Sequence, residues 1–261
     1  SATGYTSGTW SMTIAPGVSL YDSSDNLIKT FAPTSTSPVA ETGDADPTTQ
    51  KYSVDYVQDA INASVAGDTV KLGDGIYELD TAISLNKKVT LTSVNGASST
   101  SLRPIAESNW HAGASDIAIV VGISGTATYP VVVDGLTFDR LRSGVEFDQG
   151  VFNNGWNYVS VTNNIFNYVI PGYQADSEWG NVVTVMVHTQ LGGGGAAVIT
   201  SATVSNNTFS NCTSFTTGPL SSGNIHVITK VGSLAITGVA ISGNTISGNG
   251  VGISVNGYNA N

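Results

Sequence analysis

Three short stretches of this chain share nearly the same six letters: VTNNIF at 161–166, VSNNTF at 204–209 and ISGNTI at 241–246. Each copy has Asn in fourth place and a bulky apolar residue in sixth place, and a weaker copy, VDGLTF, ends at Phe138. The sixth letters fall at positions 138, 166, 209 and 246, which are intervals of 28, 43 and 37 residues. Self-similarity at intervals of roughly 20–50 residues is typical of repeat folds, in which each repeat stacks on its neighbours. The phrase therefore predicts a stacked architecture.

Alignment of the copies predicts which residues meet in the stack. The sixth letters would form one internal apolar column: Phe138, Phe166, Phe209 and Ile246. Three letters later comes a second column: Leu141, Val169 and Cys212. The fourth letters would form a structural ladder at a turn, in which each amide bonds to the next one: Asn164, Asn207 and Asn244. A hydrogen bond of this kind contributes about 1 kcal/mol net. The repeated phrase is interpreted as a turn followed by the strand that it feeds.

Composition narrows the classes of function. The chain has 261 residues, of which 40% are hydrophobic and 11% charged, so it is too apolar and too weakly charged for a disordered chain. Its net charge is −10, which argues against a nucleic-acid partner because phosphate binding needs a basic face. A long apolar run, IAIVVGI at 117–123, has only the length of a strand, well short of the ~18 residues of a spanning helix. We therefore expect no nucleic-acid partner and no membrane span.

Residues 1–50 are predicted to form an N-terminal arm and linker. Within the arm, VSLYD and LIKTF flank the polar SSDN, a pattern typical of a β-hairpin. Residues 31–50 are rich in Pro, Thr and acidic residues and show no periodicity, as expected for a linker. This organisation leaves residues 51–261 for one main domain.

The main domain begins with a predicted helix over 53–65, SVDYVQDAINASV, for which Ser53 is the expected N-cap. The helical period places four apolar residues on one stripe: Val54, Val57, Ala60 and Ile61. The short segments TVKL, GIYEL, AISL and KVTLTSV follow, each ended by Gly, Asp or Asn. Regular short strands separated by turn residues predict an all-β fold.

Two segments carry a resemblance to a known superfamily. YVQDAINASVAGDTVKLGDGIYELDTAISLNKKVTLTSVNG at 56–96 resembles the opening of right-handed parallel β-helix proteins of the pectate-lyase-like superfamily. The C-terminal ISGNTISGNGVGISVNG is similar to the NosD-like repeats of the same superfamily. The resemblance implies a parallel β-helix (a solenoid) with an N-terminal capping helix, preceded by a stranded arm. Because the superfamily contains lyases, hydrolases, adhesins and structural proteins, it implies no single function.

The densest charge lies in DGLTFDRLRSGVEFDQG at 134–150. If the chain is an enzyme, the resemblance implies an arginine base and calcium held by acidic residues. The catalytic candidates are then Arg140 and Arg142. The candidate calcium ligands are Asp139, Glu146 and Asp148. The alternative interpretation is a solvated rim of alternating charges beside a core strand.

Aromatic residues in predicted loops form a second candidate site, for substrate binding: Trp156, Tyr158, Tyr173 and Trp179. Their rings could stack on sugars or anchor a protein partner. They could equally fold back over the solenoid and cover its apolar surface. The sequence leaves both interpretations open.

Two functions fit these observations. The first is a self-assembling extracellular structural protein of the cell surface, a subunit of a sheath, surface layer or filament. Its partners would be copies of itself and cell-surface glycans, and it would require no cofactor. Repeat character continues to the end of the sequence, where a solenoid otherwise needs a polar cap. The alternative is a polysaccharide lyase or glycosidase that acts on an anionic glycan, with calcium as its candidate metal.

Overall fold

The structure, a computed structural model, describes most of residues 51–261 and part of residues 1–50. The described residues are 17–31, 51–79, 81–104, 117–141, 143–147, 157–169, 183–187, 200–212, 223–229, 238–248 and 251–257. Within these ranges the protein is predominantly β and has a single α-helix. No helix in the same ranges has the length and apolarity that crossing a membrane requires.

Hydrogen bonding groups the described strands into three sheets, which we call A, B and C. Sheet A contains β1 (Val18–Tyr21), β2 (Leu27–Phe31), β4 (Thr69–Leu72), β7 (Thr90–Ser93), β10 (Val131–Asp134), β13 (Asn157–Thr162), β16 (Thr200–Ser205) and β19 (Val239–Ser242). Sheet B contains β3 (Lys51–Ser53), β5 (Gly75–Leu79), β8 (Thr100–Pro104), β11 (Thr137–Asp139), β14 (Ile165–Asn167), β17 (Thr208–Ser210) and β20 (Thr245–Ser247). Sheet C contains β6 (Ile83–Leu85), β9 (Ile117–Val121), β12 (Ser143–Phe147), β15 (Val183–Val187), β18 (Gly223–Thr229) and β21 (Val251–Gly257).

From β4 to β21 the chain visits sheets A, B and C in that order, and we call one such visit a coil. Each strand pairs in parallel with the strand three places later, so each coil lies on the next one. The register aligns the repeated phrase, because Phe138 pairs with Phe166, Phe166 with Phe209, and Phe209 with Ile246. The predicted all-β fold with stacked parallel strands is confirmed.

The core is built from columns of like residues. The rings of Phe138 and Phe166 are parallel with centroids 4.7 Å apart, and those of Phe166 and Phe209 are 4.8 Å apart. These distances match the spacing of neighbouring strands in a sheet, about 4.7–4.9 Å, so the rings stack because the strands do. The second predicted column is also buried: Leu141, Val169 and Cys212.

The N-terminal end of the stack is covered by a helix and a hairpin. Helix α1 (Asp55–Ala63) contacts β1, β2, β4 and β6 and buries the predicted apolar stripe. The helix is shorter than the predicted 53–65: Ser53 belongs to β3, and the N-cap is Val54 with no side-chain cap. The predicted hairpin is present as β1 and β2, and β1 extends sheet A by pairing antiparallel with β4.

Candidate functional site

A turn between sheets A and B explains the third and fourth letters of the repeated phrase. The third letter has a positive φ in all four copies, between 56° and 63°: Gly135, Asn163, Asn206 and Gly243. Among common residues only Gly, and to a lesser degree Asn and Asp, adopts this left-handed conformation without large steric cost. The backbone conformation of the turn therefore explains why this position contains either Asn or Gly.

The fourth letters lie in a continuous hydrogen-bonded ladder. The Oδ1 of Asn164 accepts from the backbone N–H of Leu136 at 2.9 Å, that of Asn207 from the N–H of Asn164 at 3.0 Å, and that of Asn244 from the N–H of Asn207 at 2.9 Å. The Nδ2 of Asn164 donates to Asn207 Oδ1 at 3.2 Å, and the Nδ2 of Asn207 donates to Asn244 Oδ1 at 3.0 Å. Asn164 and Asn207 are buried. The structure thus brings the three asparagines together, and their amides are engaged in holding the turn.

A second turn with positive φ follows each strand of sheet B from β11 onward. It lies two residues after the sixth letter of each copy: Arg140 (56°), Tyr168 (51°), Asn211 (55°) and Gly248 (118°). The N–H of Arg140 donates to the carbonyl of Asn167 at 3.0 Å, and that of Tyr168 to the carbonyl of Ser210 at 3.1 Å. The turns are therefore stacked on one another, as the strands are.

These stacked turns place a polar and aromatic group at the edge of sheet B, which we call the B–C corner: Asp139, Arg140, Asn167, Tyr168 and Asn211. The Nε of Arg140 lies 3.5 Å from Asp139 Oδ2. Asn167 donates to the other oxygen of Asp139 at 2.8 Å and accepts from Asn211 at 3.4 Å. Tyr168 is 45% exposed. The corner therefore presents one ion pair, two amides and an accessible phenol ring.

A further ion pair, which is not among the predicted site residues, lies in the same outward row of sheet B. Arg103 Nη2 lies 3.4 Å from Glu78 Oε1, and both side chains are at most 10% exposed. Arg103 follows Leu102, which pairs with Phe138, and this register puts Arg103 in the row of Asp139. The segments GIYEL and SLRP contain a pattern that could have predicted this pair. Glu78 and Arg103 each come one place after an inward residue, Tyr77 or Leu102, and these two inward residues are paired.

Of the predicted enzyme residues, Asp139 and Arg140 are adjacent in the chain and form an ion pair at the B–C corner. Glu146 lies in β12, where its backbone is paired with Val120 and Thr184. Arg142 and Asp148 lie outside the described residues. Among the residues that are described, no three His, Cys, Asp or Glu side chains converge as a metal site. The calcium site therefore stays a prediction.

Of the predicted aromatic platform, Tyr158 alone falls within the described ranges. It lies in β13 with a φ of 51°, is 39% exposed, and stands at the entry to sheet A rather than at the B–C corner. Trp156, Tyr173 and Trp179 lie outside the described residues. A shared binding platform stays a prediction.

No protein-family model, no curated protein and no solved structure matches this chain. The stacked parallel strands are therefore shown by the structure itself, and membership of the pectate-lyase-like superfamily stays a hypothesis. A fold of this kind supports many activities, so the function depends on the chemistry of the sites.

Proposed function

We propose that the chain is a right-handed parallel β-helix that self-assembles as a structural subunit of an extracellular sheath, surface layer or filament. The β-helix is supported by the fixed order in which the chain visits the three sheets and by the parallel register of successive coils. Right-handedness is supported by the rule that about 98% of parallel crossovers within one sheet have that hand.

The observation that carries the assembly proposal is the loss of burial in the coil of β19, β20 and β21. This is the last coil in the described part of the chain, and we call it the last coil. Val204 in β16 is fully buried, whereas the aligned Ile241 in β19 is only partly buried. In sheet C, Ile225 is fully buried and the aligned Ile253 is 47% exposed. Burying such side chains is favourable by about 25 cal/mol per Å² of apolar surface, so a further layer of strands would stabilise this coil.

The composition of the last coil supports contact with another copy. Soluble proteins usually protect exposed strand edges with charged side chains, proline or bulges. Residues 238–257 contain no Asp, Glu, Lys, Arg or Pro, and between 179 and 261 Lys230 is the single charged residue apart from histidine. The cores of protein interfaces show the same depletion of charge. A second copy could add its strands without desolvating any charge of this coil.

Assembly can be tested by light scattering and electron microscopy of the purified chain over a range of concentrations. We expect ordered polymers from the unmodified chain and monomers from Ile253→Asp, because a buried carboxylate would oppose stacking. Val94→Asp is the matched control, since Val94 is also 47% exposed but belongs to an inner turn. A chain that stays monomeric at high concentration, with or without calcium, would overturn the proposal.

A second candidate function, a lyase or glycosidase acting on an anionic glycan, is favoured by one observation. Asp139 and Arg140, which are adjacent in the chain, form an ion pair at 3.5 Å with both side chains partly exposed, and an arginine near a carboxylate is a suitable pair for binding a uronate and moving its proton. The absorbance of unsaturated uronate products in an incubation with polygalacturonate tests for the lyase. The double variant Arg140→Ala and Arg142→Ala should abolish it. No absorbance from the unmodified chain would discard the lyase.

A further inference from the structure

The B–C corner offers an internal comparison between coils. Four coils have a turn with a positive φ at this position, between 51° and 56° in three of them and 118° at Gly248. Asn211 and Gly248 are residue types that tolerate a positive φ. The other two coils fill it with Arg140 and Tyr168, which adopt it at a steric cost. The repeat thus contains both relaxed and strained versions of one turn.

The backbone of the turn does not require the strained residues. The N–H at this position donates to the carbonyl of the next coil whether the residue is Arg140, Tyr168 or Asn211, at 3.0, 3.1 and 3.2 Å. Asn at either strained position could make the same hydrogen bond with less strain. Strained backbone of this kind concentrates at sites where the side chain has a function. The strain at Arg140 and Tyr168 therefore indicates that their side chains have a function.

The side chains at the corner have the chemistry that recognises a sugar ring. Tyr168 presents an exposed ring, on which the C–H face of a saccharide can stack. The same and the adjacent turns of the corner carry a carboxylate, a guanidinium and two amides, which together can donate to and accept from hydroxyl groups. Neighbouring coils are about 4.8 Å apart, so these groups lie within the span of one or two sugar rings.

The charge of the corner favours a neutral ligand. Arg140 is paired with Asp139 at 3.5 Å, so the pair contributes no net charge, and the chain as a whole carries −10. A polyanion would be repelled by the field of the protein, whereas a neutral chain would not. We propose that the B–C corner is a non-catalytic binding site for a neutral saccharide, with Tyr168 as the stacking residue. Because the corner belongs to the inner coils, this site is independent of assembly through the last coil.

Affinity electrophoresis through gels that contain a soluble neutral glucan, mannan or xylan tests the site, with polygalacturonate as the anionic comparison. We expect the unmodified chain to be retarded by at least one neutral polysaccharide. Tyr168→Asn installs the residue that the same turn carries at Asn211, so it should raise the thermal midpoint while weakening retardation at least tenfold. Arg140→Asn should act in the same direction.

The matched control is Ser201→Asn, which relieves another positive φ (63°) at the entry to sheet A. It should raise the thermal midpoint and leave retardation unchanged. Equal retardation of Tyr168→Asn and the unmodified chain would overturn the proposal, and so would an unmodified chain that no neutral polysaccharide retards. Stronger retardation by polygalacturonate than by every neutral polymer would contradict a neutral ligand. It would instead favour the B–C corner as the site of the enzyme alternative.

Discussion

The inner coils and the last coil contain similar residues at aligned positions, but these residues are packed differently. Phe209 lies between two neighbouring coils, stacks on Phe166 at 4.8 Å and is fully buried. Ile246 occupies the same place in the repeat but is only partly buried, because no described strand pairs with the outer edge of β20. In a stacked fold, the stability that a residue contributes depends on whether both neighbours are present. Position in the stack thus matters as much as residue type.

Among the described residues, the N-terminal end of the stack is covered by other elements, whereas no described element covers the last coil. There α1 covers the core, and the hairpin extends sheet A by two strands. The edge strand β2 includes Lys29, and the hairpin register shifts between Leu20 and Tyr21. Charges and bulges of this kind discourage further strand pairing. Under the assembly proposal, further strands would therefore add at the last coil and not at the hairpin.

The largest expected change in stability comes from truncating the apolar column, and it should differ between the inner coils and the last coil. Phe209→Ala should lower the free energy of unfolding by about 3–5 kcal/mol, because it removes a ring that is packed on both faces and leaves a cavity. Ile246→Ala should cost about 1 kcal/mol under conditions that keep the chain monomeric, since its side chain is already partly exposed. Urea denaturation at low protein concentration measures both values. Equal costs would show that the last coil is as well packed as the inner ones.

A smaller effect is expected from the asparagine ladder. Asn207→Ala removes the acceptor of the Asn164 N–H and the donor to the Val161 carbonyl, which leaves buried groups unsatisfied. We expect a loss of about 1–3 kcal/mol. Asn244→Ala should cost less, because Asn244 is partly exposed and water can replace its hydrogen bonds. Thermal unfolding of the two variants checks the order, and an unchanged midpoint for Asn207→Ala would contradict the role of the ladder.

The smallest effect concerns Cys212, which lies in the coil next to the last one. Burial raises the pKa of its thiol to about 11 from a usual value of 9.0. A raised pKa in the folded state stabilises the protein below the unfolded pKa, and this contribution is lost as the pH rises from about 9 to about 11. Relative to Cys212→Val, the unmodified chain should therefore lose about 1 kcal/mol between pH 8 and pH 10.

Guanidinium denaturation of the two proteins at each pH measures that difference. Valine suits the site because Val169 occupies the same column one coil earlier. If the last coil opens readily in the monomer, Cys212 becomes hydrated and the difference between the two proteins disappears. The measurement thus reports how firmly the last coil covers its neighbour.

Much of the stack could be predicted from local patterns. The helix stripe, the hairpin and the strands TVKL, GIYEL and AISL follow from periodicity and turn residues, which act over a few positions. The N-cap of α1 was predicted at Ser53, one residue before the observed N-cap Val54, because Ser53 pairs in β3 instead of capping the helix. A tertiary strand contact outweighed a local capping preference there.

The candidate site was less predictable. Asp139 and Arg140 stood out as charges, but nothing in the local sequence indicates that Arg140 and Tyr168 adopt a positive φ, which is rare for both residue types. Tyr168 entered the site because its turn stacks between those of Arg140 and Asn211. Similarly, the pairing of Glu78 with Arg103 depends on the register between β5 and β8.

The sequence by itself determined the repeated unit, because the apolar residues that form its strand and the Asn or Gly that forms its turn lie within six residues. Only the tertiary structure decided which copies are buried, which turns are strained and which polar side chains meet. The physical reason is distance along the chain. The contacts that settle these properties join residues 28, 43 or 37 positions apart. No local pattern specifies which residues of the neighbouring coils pack against a given coil.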